Sequence, residues 1–155
     1  MRLSTRARYG MRLMLALAGN YGKGPMYLKD IGRAEEMSEK YLSLLMIPMK
    51  KAGLVHSIRG AYGGYCLAKT PSQINLGEIV EVLEGNCIVD CVKDPAACPR
   101  ISICTSHDIW AFLDEKISET LRSITLEQWL LELERKRRAS PKSARQAKVK
   151  IRKVR

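Results

Sequence analysis

Apolar residues recur at helical spacing along most of the chain and switch once to strand-like alternation. Ser4 can cap a first helix in which Met11, Leu13, Met14, Leu15, Leu17 and Ala18 make a wide stripe, stopped by Gly19-Asn20. A loop over Gly22 to Pro25 precedes a short second helix marked by Leu28, Ile31 and Ala34. Met37-Ser38-Glu39 then reads as a turn with Ser38 as N-cap, leading into a third helix through Tyr41, Leu42, Leu45, Met46 and Met49 to Gly53. Pro48 falls late in that helix, where it is expected to kink it or remove a hydrogen bond. Two short helices across a tight turn, the second polar at its start, predict a helix-turn-helix.

The period changes over residues 54–68. Leu54 to Ile58 reads as one strand and Tyr65-Cys66-Leu67 as its partner, with Cys66 expected in the core. Gly60, Gly63 and Gly64 lie between them with Arg59 at the tip, forming a glycine-rich wing that could approach another backbone closely. An arginine so placed can enter a narrow minor groove, and the plain alternative is a solvated Arg on an ordinary hairpin.

Helical spacing resumes at Asn75, with Leu76, Ile79, Val80 and Leu83, and ends at Gly85. After an irregular stretch, Thr105 is expected to cap a fifth helix with Asp108 in its first turn. Ile109, Leu113, Ile117 and Leu121 recur every four residues there, with Trp110, Phe112 and Ile124 beside them. This is more apolar surface than a small domain needs. It predicts that the helix pairs with its copy in a two-fold homodimer, the alternative being packing within its own chain. Thr125 with Gln128 forms a capping box for a last helix carrying Trp129, Leu130 and Leu133. The fold class is therefore mainly α: a winged helix-turn-helix DNA-binding unit over 1–85, a loop over 86–104, a dimerisation helix and C-terminal helix over 105–134, and a tail over 135–155.

Charge divides along the same lines. The net charge is +11, yet residues 1–70 hold 12 Lys/Arg against 4 Asp/Glu, residues 71–134 hold 4 against 12, and residues 135–155 hold 11 with no acid. The first block suits a polyanion, and double-stranded DNA is the usual partner because each neutralised phosphate releases counterions. The tail has too little apolar content to fold alone, and is expected to be a disordered arm, either adding DNA affinity or serving solubility. No apolar run approaches the roughly 18 residues that span a bilayer, so no membrane partner is expected. The arginine-bearing N-terminus does not read as a secretory signal, which implies a cytoplasmic, reducing setting.

Candidate chemistry sits in the run CVKDPAACPRISICTSH. Cys91, Cys98, Cys104 and His107 follow the spacing Cys-x6-Cys-x5-Cys-x2-His on a stretch broken by Asp94-Pro95 and Cys98-Pro99. Thiolate and imidazole suit an iron–sulfur cluster or zinc, and such a loop can wrap either. The alternatives are a disulfide with a free thiol, or buried cysteines. No Ser/His/Asp set, paired carboxylates, P-loop or dinucleotide-binding glycine pattern is present, so an enzyme is not expected.

Together these residues resemble the Rrf2 family of bacterial winged-helix regulators, and within it the members that bind an iron–sulfur cluster. The matching pieces are MRLSTRARYGMRLML, LKDI, Ser38 with YLSLL, LVHSIRGAYGGYCLAK, INLGEIVEVLEG, and the ligand pattern ending in TSHDIW. The resemblance covers about residues 1–133. It implies a transcription regulator acting as a homodimer, with the third helix in the major groove and the wing at the minor groove. The DNA contacts it implies are Arg2, Ser38, Lys40, Tyr41, Ser43, Arg59, Gly60, Gly63 and Gly64. It also implies a 2Fe–2S cluster on Cys91, Cys98, Cys104 and His107 whose occupancy alters DNA binding. A cluster-free regulator of the same family, using thiol oxidation or zinc, is the alternative. The chain departs from the pattern in three places. The first cysteine gap is six residues where relatives commonly have five, Cys66 and Cys87 are extra, and Leu44 stands where relatives place a polar base-reading group. Nitric-oxide-sensing relatives use an acidic ligand in the first helix, where this chain has Thr5-Arg6-Ala7-Arg8.

Overall fold

Ser4 opens the first helix as its chemistry suggests: its hydroxyl accepts from the backbone N–H groups of Arg6 and Ala7, and α1 runs over Thr5–Gly19. The computed structural model describes residues 4–60, 62–85 and 88–139. Arg2, Cys87 and most of the basic tail therefore lie outside the described residues. Helix α2 (Leu28–Glu35) ends on Glu36 in the left-handed region at φ 55°, and Ser38 then caps α3 (Glu39–Lys51) by accepting from Tyr41 N–H. Helix α3 continues through Pro48, which has no N–H to offer the carbonyl of Leu44.

Strands β1 (Val55–Ile58) and β2 (Gly64–Leu67) pair antiparallel, in the register Val55 with Leu67, His56 with Cys66, Ser57 with Tyr65 and Ile58 with Gly64. Val55 and Leu67 face the core. Cys66 does not, contrary to expectation. It stands opposite the exposed His56, half-buried, on the wall of a cleft of about 430 Å³ that Asn20, Tyr21 and Tyr65 also line. Alternation alone told that Cys66 differs in facing from its neighbours; the face that is buried is decided by what packs beneath the hairpin.

Helix α4 (Leu76–Glu84) begins at a capping box in which Asn75 and Glu78 satisfy each other's backbone N–H groups. Leu76, Ile79 and Leu83 are buried with Leu13, Met14 and Leu17 of α1 and Leu42, Leu45, Met46 and Met49 of α3 in one continuous core. Gly10 permits this approach, since a Cβ there would lie 2.1 Å from Leu83 Cδ1. Helix α5 (His107–Arg122) starts later than expected. Its N-cap is Ser106 rather than Thr105, with no side-chain capping bond, because Thr105 and Ser106 are taken up in a turn. Helix α6 (Leu126–Ala139) opens on the predicted box, Gln128 N–H donating to the Thr125 hydroxyl and Thr125 N–H to the Gln128 side chain. It runs past the expected boundary at 134, supported by Arg135–Glu132 and Lys136–Glu132 pairs one turn apart. Its start pairs with α4, Asn75 bridging to Thr125, while Leu126 is fully buried.

Two glycines of the wing serve the protein's own backbone. A Cβ on Gly63 would lie 2.3 Å from the Ile58 carbonyl oxygen, and one on Gly64 would lie 2.5 Å from the Met26 carbonyl oxygen. The second approach is what lets Met26 exchange backbone hydrogen bonds with Tyr65 at 2.9 and 3.0 Å, adding a third short segment to the hairpin. Gly64 also has φ +147°, so Gly64→Ala combines strain with a clash and should lower stability by about 1–3 kcal/mol. Urea unfolding followed by circular dichroism measures it; an unchanged midpoint would remove this account of Gly64.

Candidate nucleic-acid interface and cysteine loop

The outer face of α3 is defined by the burial of the inner one. With Leu42, Leu45, Met46 and Met49 in the core, helical periodicity turns Lys40, Ser43, Leu44, Ile47 and Lys51 outward in one stripe, and all five are exposed. Ser38 stands at its start as the N-cap. The Ser43 hydroxyl donates to the Glu39 carbonyl at 3.0 Å, which leaves its oxygen available as an acceptor. Tyr41 points elsewhere: it is half-buried edge-on against Tyr9, ring centroids 5.7 Å apart, so it fastens α3 to α1. Arg12 extends this fastening, lying 5.7 Å from the Tyr9 centroid and pairing with Glu35 of α2 at 3.0 Å.

The wing stands at the other end of the same helix. Lys50 donates to the Ser57 hydroxyl at 2.9 Å, joining the last turn of α3 to β1. Arg59 is exposed at the tip, and Gly60, at φ +115°, has open space where a side chain would be. Gly63 and Gly64 are committed to contacts within the chain, as described above.

The cysteine loop is built from short 3-10 turns, Asp90–Val92, Pro95–Ala97 and Ile101–Ile103, none of which contributes a buried residue. Asp94 caps the second by accepting from Ala96 N–H. Cys91, Cys98 and Cys104 are free thiols, each half-buried. Among the described residues no three Cys, His, Asp or Glu side chains converge as a metal-binding group would, so the loop holds the predicted donors on one segment without bringing them to one point. Cys104 and His107 are the most developed part. The Cys104 sulfur lies 3.4 Å from the Ser106 hydroxyl, and that hydroxyl, then the Ser106 and His107 backbone N–H groups, hold its thiol below the ordinary value. His107 Nδ1 lies 3.3 Å from the Asp108 carboxylate, while its Nε2 is buried without a hydrogen-bond partner. A carboxylate acceptor on Nδ1 favours the tautomer that leaves the Nε2 lone pair available.

Sequence reasoning missed the residues that attach this loop to the rest of the molecule. Asp114 is the buried residue of α5, 6% exposed, accepting from Ile88 N–H at 2.8 Å and facing Lys93 Nζ at 3.9 Å. It therefore grips the chain on both sides of Cys91. Glu84, the last residue of α4, reaches the start of α1, where it accepts from the Ser4 hydroxyl and from Ala7 N–H. An acid within the apolar spacing of α5 was the one available signal for Asp114; nothing in the sequence pointed Glu84 at Ser4.

A helix-turn-helix with a basic outer face and a glycine-rich wing is the architecture of a winged-helix DNA-binding regulator. The Rrf2 family model, described as an iron-dependent transcriptional regulator, matches residues 3–132, and the chain belongs to that family. It is 41% identical over 128 residues to the HTH-type transcriptional regulator CymR of Bacillus subtilis, covering 82% of this chain and 88% of the relative. The structure of CymR, the global cysteine regulator of B. subtilis, superposes with a TM-score of 0.69 at 40% identity, covering 85% of this chain and 98% of that one. IscR of T. potens superposes with a TM-score of 0.71 at 38% identity, covering 86% and 88%. The chain is thus a transcriptional regulator rather than an enzyme. Among the described residues no helix is long and apolar enough to cross a membrane.

Two outcomes follow from the loop geometry. Asp114→Ala strands the Ile88 N–H, while the exposed Lys93 stays hydrated, and should cost about 1–3 kcal/mol, with faster hydrogen exchange at the Ile88 amide. Asp114→Asn, which keeps an acceptor, should lose less; equal effects of the two would deny the hydrogen bond its role. Ser106→Ala removes the main group favouring the Cys104 thiolate, so the pH midpoint of Cys104 alkylation should move upward. Iodoacetamide labelling across pH, read by mass spectrometry, checks the direction.

Proposed function

We propose that this regulator reports iron–sulfur status to DNA by holding a 2Fe–2S cluster on Cys91, Cys98, Cys104 and His107. The observation that carries the reading is His107 Nε2, a buried acceptor without a partner at the start of α5, three residues beyond the last of three free thiols. A buried polar atom with no hydrogen bond costs free energy until something binds it. Three thiolates and one neutral imidazole are a donor set that an iron–sulfur centre accepts. When bound, the cluster supplies the positive charge that neutralises the thiolates and a cross-link between the two ends of the loop. The loop's turns bury nothing of their own, so drawing the four donors together disturbs no core.

The chain's own residues then carry the consequence. Asp114 holds the first arm of the loop to α5, and Glu84 joins the end of α4, one residue before Gly85, to the start of α1. A change in the loop is thereby felt where the DNA-binding unit begins. In this reading α3 enters the major groove with Ser38, Lys40 and Ser43 toward the duplex, while Tyr41, expected among the contacts, instead braces the helix against Tyr9. Arg59 and Gly60 bring the wing tip to the adjoining groove, Gly63 and Gly64 act only by shaping the hairpin that carries them, and Arg2 adds a phosphate contact. The protein acts in the cytoplasm as a homodimer. Ile109, Phe112 and Leu113 of α5 are exposed, and their burial against a second copy accounts for apolar surface that the chain leaves uncovered.

A cluster-free reading, in which thiol oxidation or zinc is the signal, draws on the lack of convergence among the described donors and on the likeness to a protein titled a cysteine regulator. One preparation separates the two. Full-length protein purified without oxygen should be coloured, contain iron and acid-labile sulfide in equal amounts, and lose both in His107→Ala. Colourless protein with stoichiometric zinc, or with no metal and an oxidant-dependent DNA affinity, would overturn the cluster reading.

A further inference from the structure

The centre of the DNA-facing stripe is apolar. Leu44 is 56% exposed and Ile47 64% exposed, between Lys40 at one end of the stripe and Lys51 at the other, with Lys50 beside it at the wing. Neither side chain packs within the chain's core, which is formed by the opposite side of the helix. Helix α3, EKYLSLLMIPMKK, contains no Arg, Asn or Gln, and Lys, the other side chain that pairs with a purine edge, stands at the ends of the stripe and not between them. Ser43 offers an acceptor only, its proton being held by Glu39. Two bulky hydrocarbon groups thus occupy the place where polar readers would stand, ringed by ammonium groups that suit phosphate.

We propose that Leu44 and Ile47 are specificity-determining residues that read the 5-methyl groups of thymine in the major groove. This rests on the DNA-binding reading above and names what that face recognises. The thymine methyl is the apolar feature a base pair displays in that groove, and branched aliphatic side chains bury it without needing an aligned hydrogen bond. Side chains three apart on a helix stand about 5–6 Å from one another, which spans one to two base steps of about 3.4 Å. The lysines at the ends of the stripe favour duplex DNA as occupant over an apolar protein surface, which would have to desolvate them.

The test begins with selection of preferred sequences from a randomised duplex pool by the full-length protein. Each thymine of the selected site is then replaced singly by deoxyuridine, which keeps the pairing and the O4 acceptor and lacks only the methyl. At one or more positions binding should weaken roughly fourfold, the effect of one buried methyl. The double variant Leu44→Ala with Ile47→Ala, which sits on exposed positions and raises helix propensity, should bind the thymine and deoxyuridine sites equally. The inference is overturned if no thymine is sensitive, or if the sensitivity persists in the double variant. Failure to select any sequence would instead overturn the DNA-binding reading on which it rests.

Discussion

Burial of α4 in the angle between α1 and α3 is the constraint on which the other parts depend. Its apolar face closes the core of the DNA-binding unit, and the absence of a side chain at Gly10 lets Leu83 come close enough to do so. The same helix serves both neighbours. At its C-terminus Glu84 satisfies donors at the start of α1, in the position where a negative charge also complements the helix dipole. On its other side Glu81 pairs with Arg122 of α5 at 3.4 Å, and Gly77 leaves room for the Arg122 stem. A short helix is thus shared between the part that meets DNA and the part that carries the cysteines.

The two parts differ in how firmly they are held. The helix-turn-helix rests on a continuous core in which Leu13, Ile31, Leu42 and Met49 are fully buried, so the outer stripe of α3 is presented on a rigid support. The cysteine loop has no such core. It is attached by a buried carboxylate, Asp114, whose desolvation is offset by the Ile88 N–H and by Lys93. A segment made of short turns and tied at few points can change shape at little cost, whereas the bundle that receives the change cannot deform gradually. This contrast is what a loop that responds to an inorganic or oxidative signal requires.

The interface surfaces show the same economy. Helix α5 leaves Ile109, Trp110, Phe112 and Leu113 exposed, and its buried position is a charged one, the reverse of an ordinary core helix, although Leu121 at its far end packs against the core. The stripe on α3 is likewise apolar at its centre and cationic at its ends. In both cases the exposed hydrophobic residues are left for another molecule, while the other side of the helix holds it to its own chain: Asp114 and Leu121 for α5, and for α3 the core residues Leu42, Leu45, Met46 and Met49 with the Lys50–Ser57 bond.

Local chemistry written in the chain was enough to determine the order and extent of most elements. The caps at Ser4, Ser38 and the Thr125–Gln128 box, the helical apolar spacing, and the glycine-bounded hairpin all act within a few residues, so they are legible without knowing the fold. The four candidate donors were legible too, because type and spacing are sequence properties. Tertiary structure decided the rest. It took Cys66 out of the core, moved the N-cap of α5 from Thr105 to Ser106, and gave Tyr41 to Tyr9. It also put Gly63 and Gly64 to work against the chain's own backbone, and brought Glu84 and Asp114 to partners 77 and 26 residues away. Each of these depends on which surfaces meet across the chain, a matter that spacing along it does not encode.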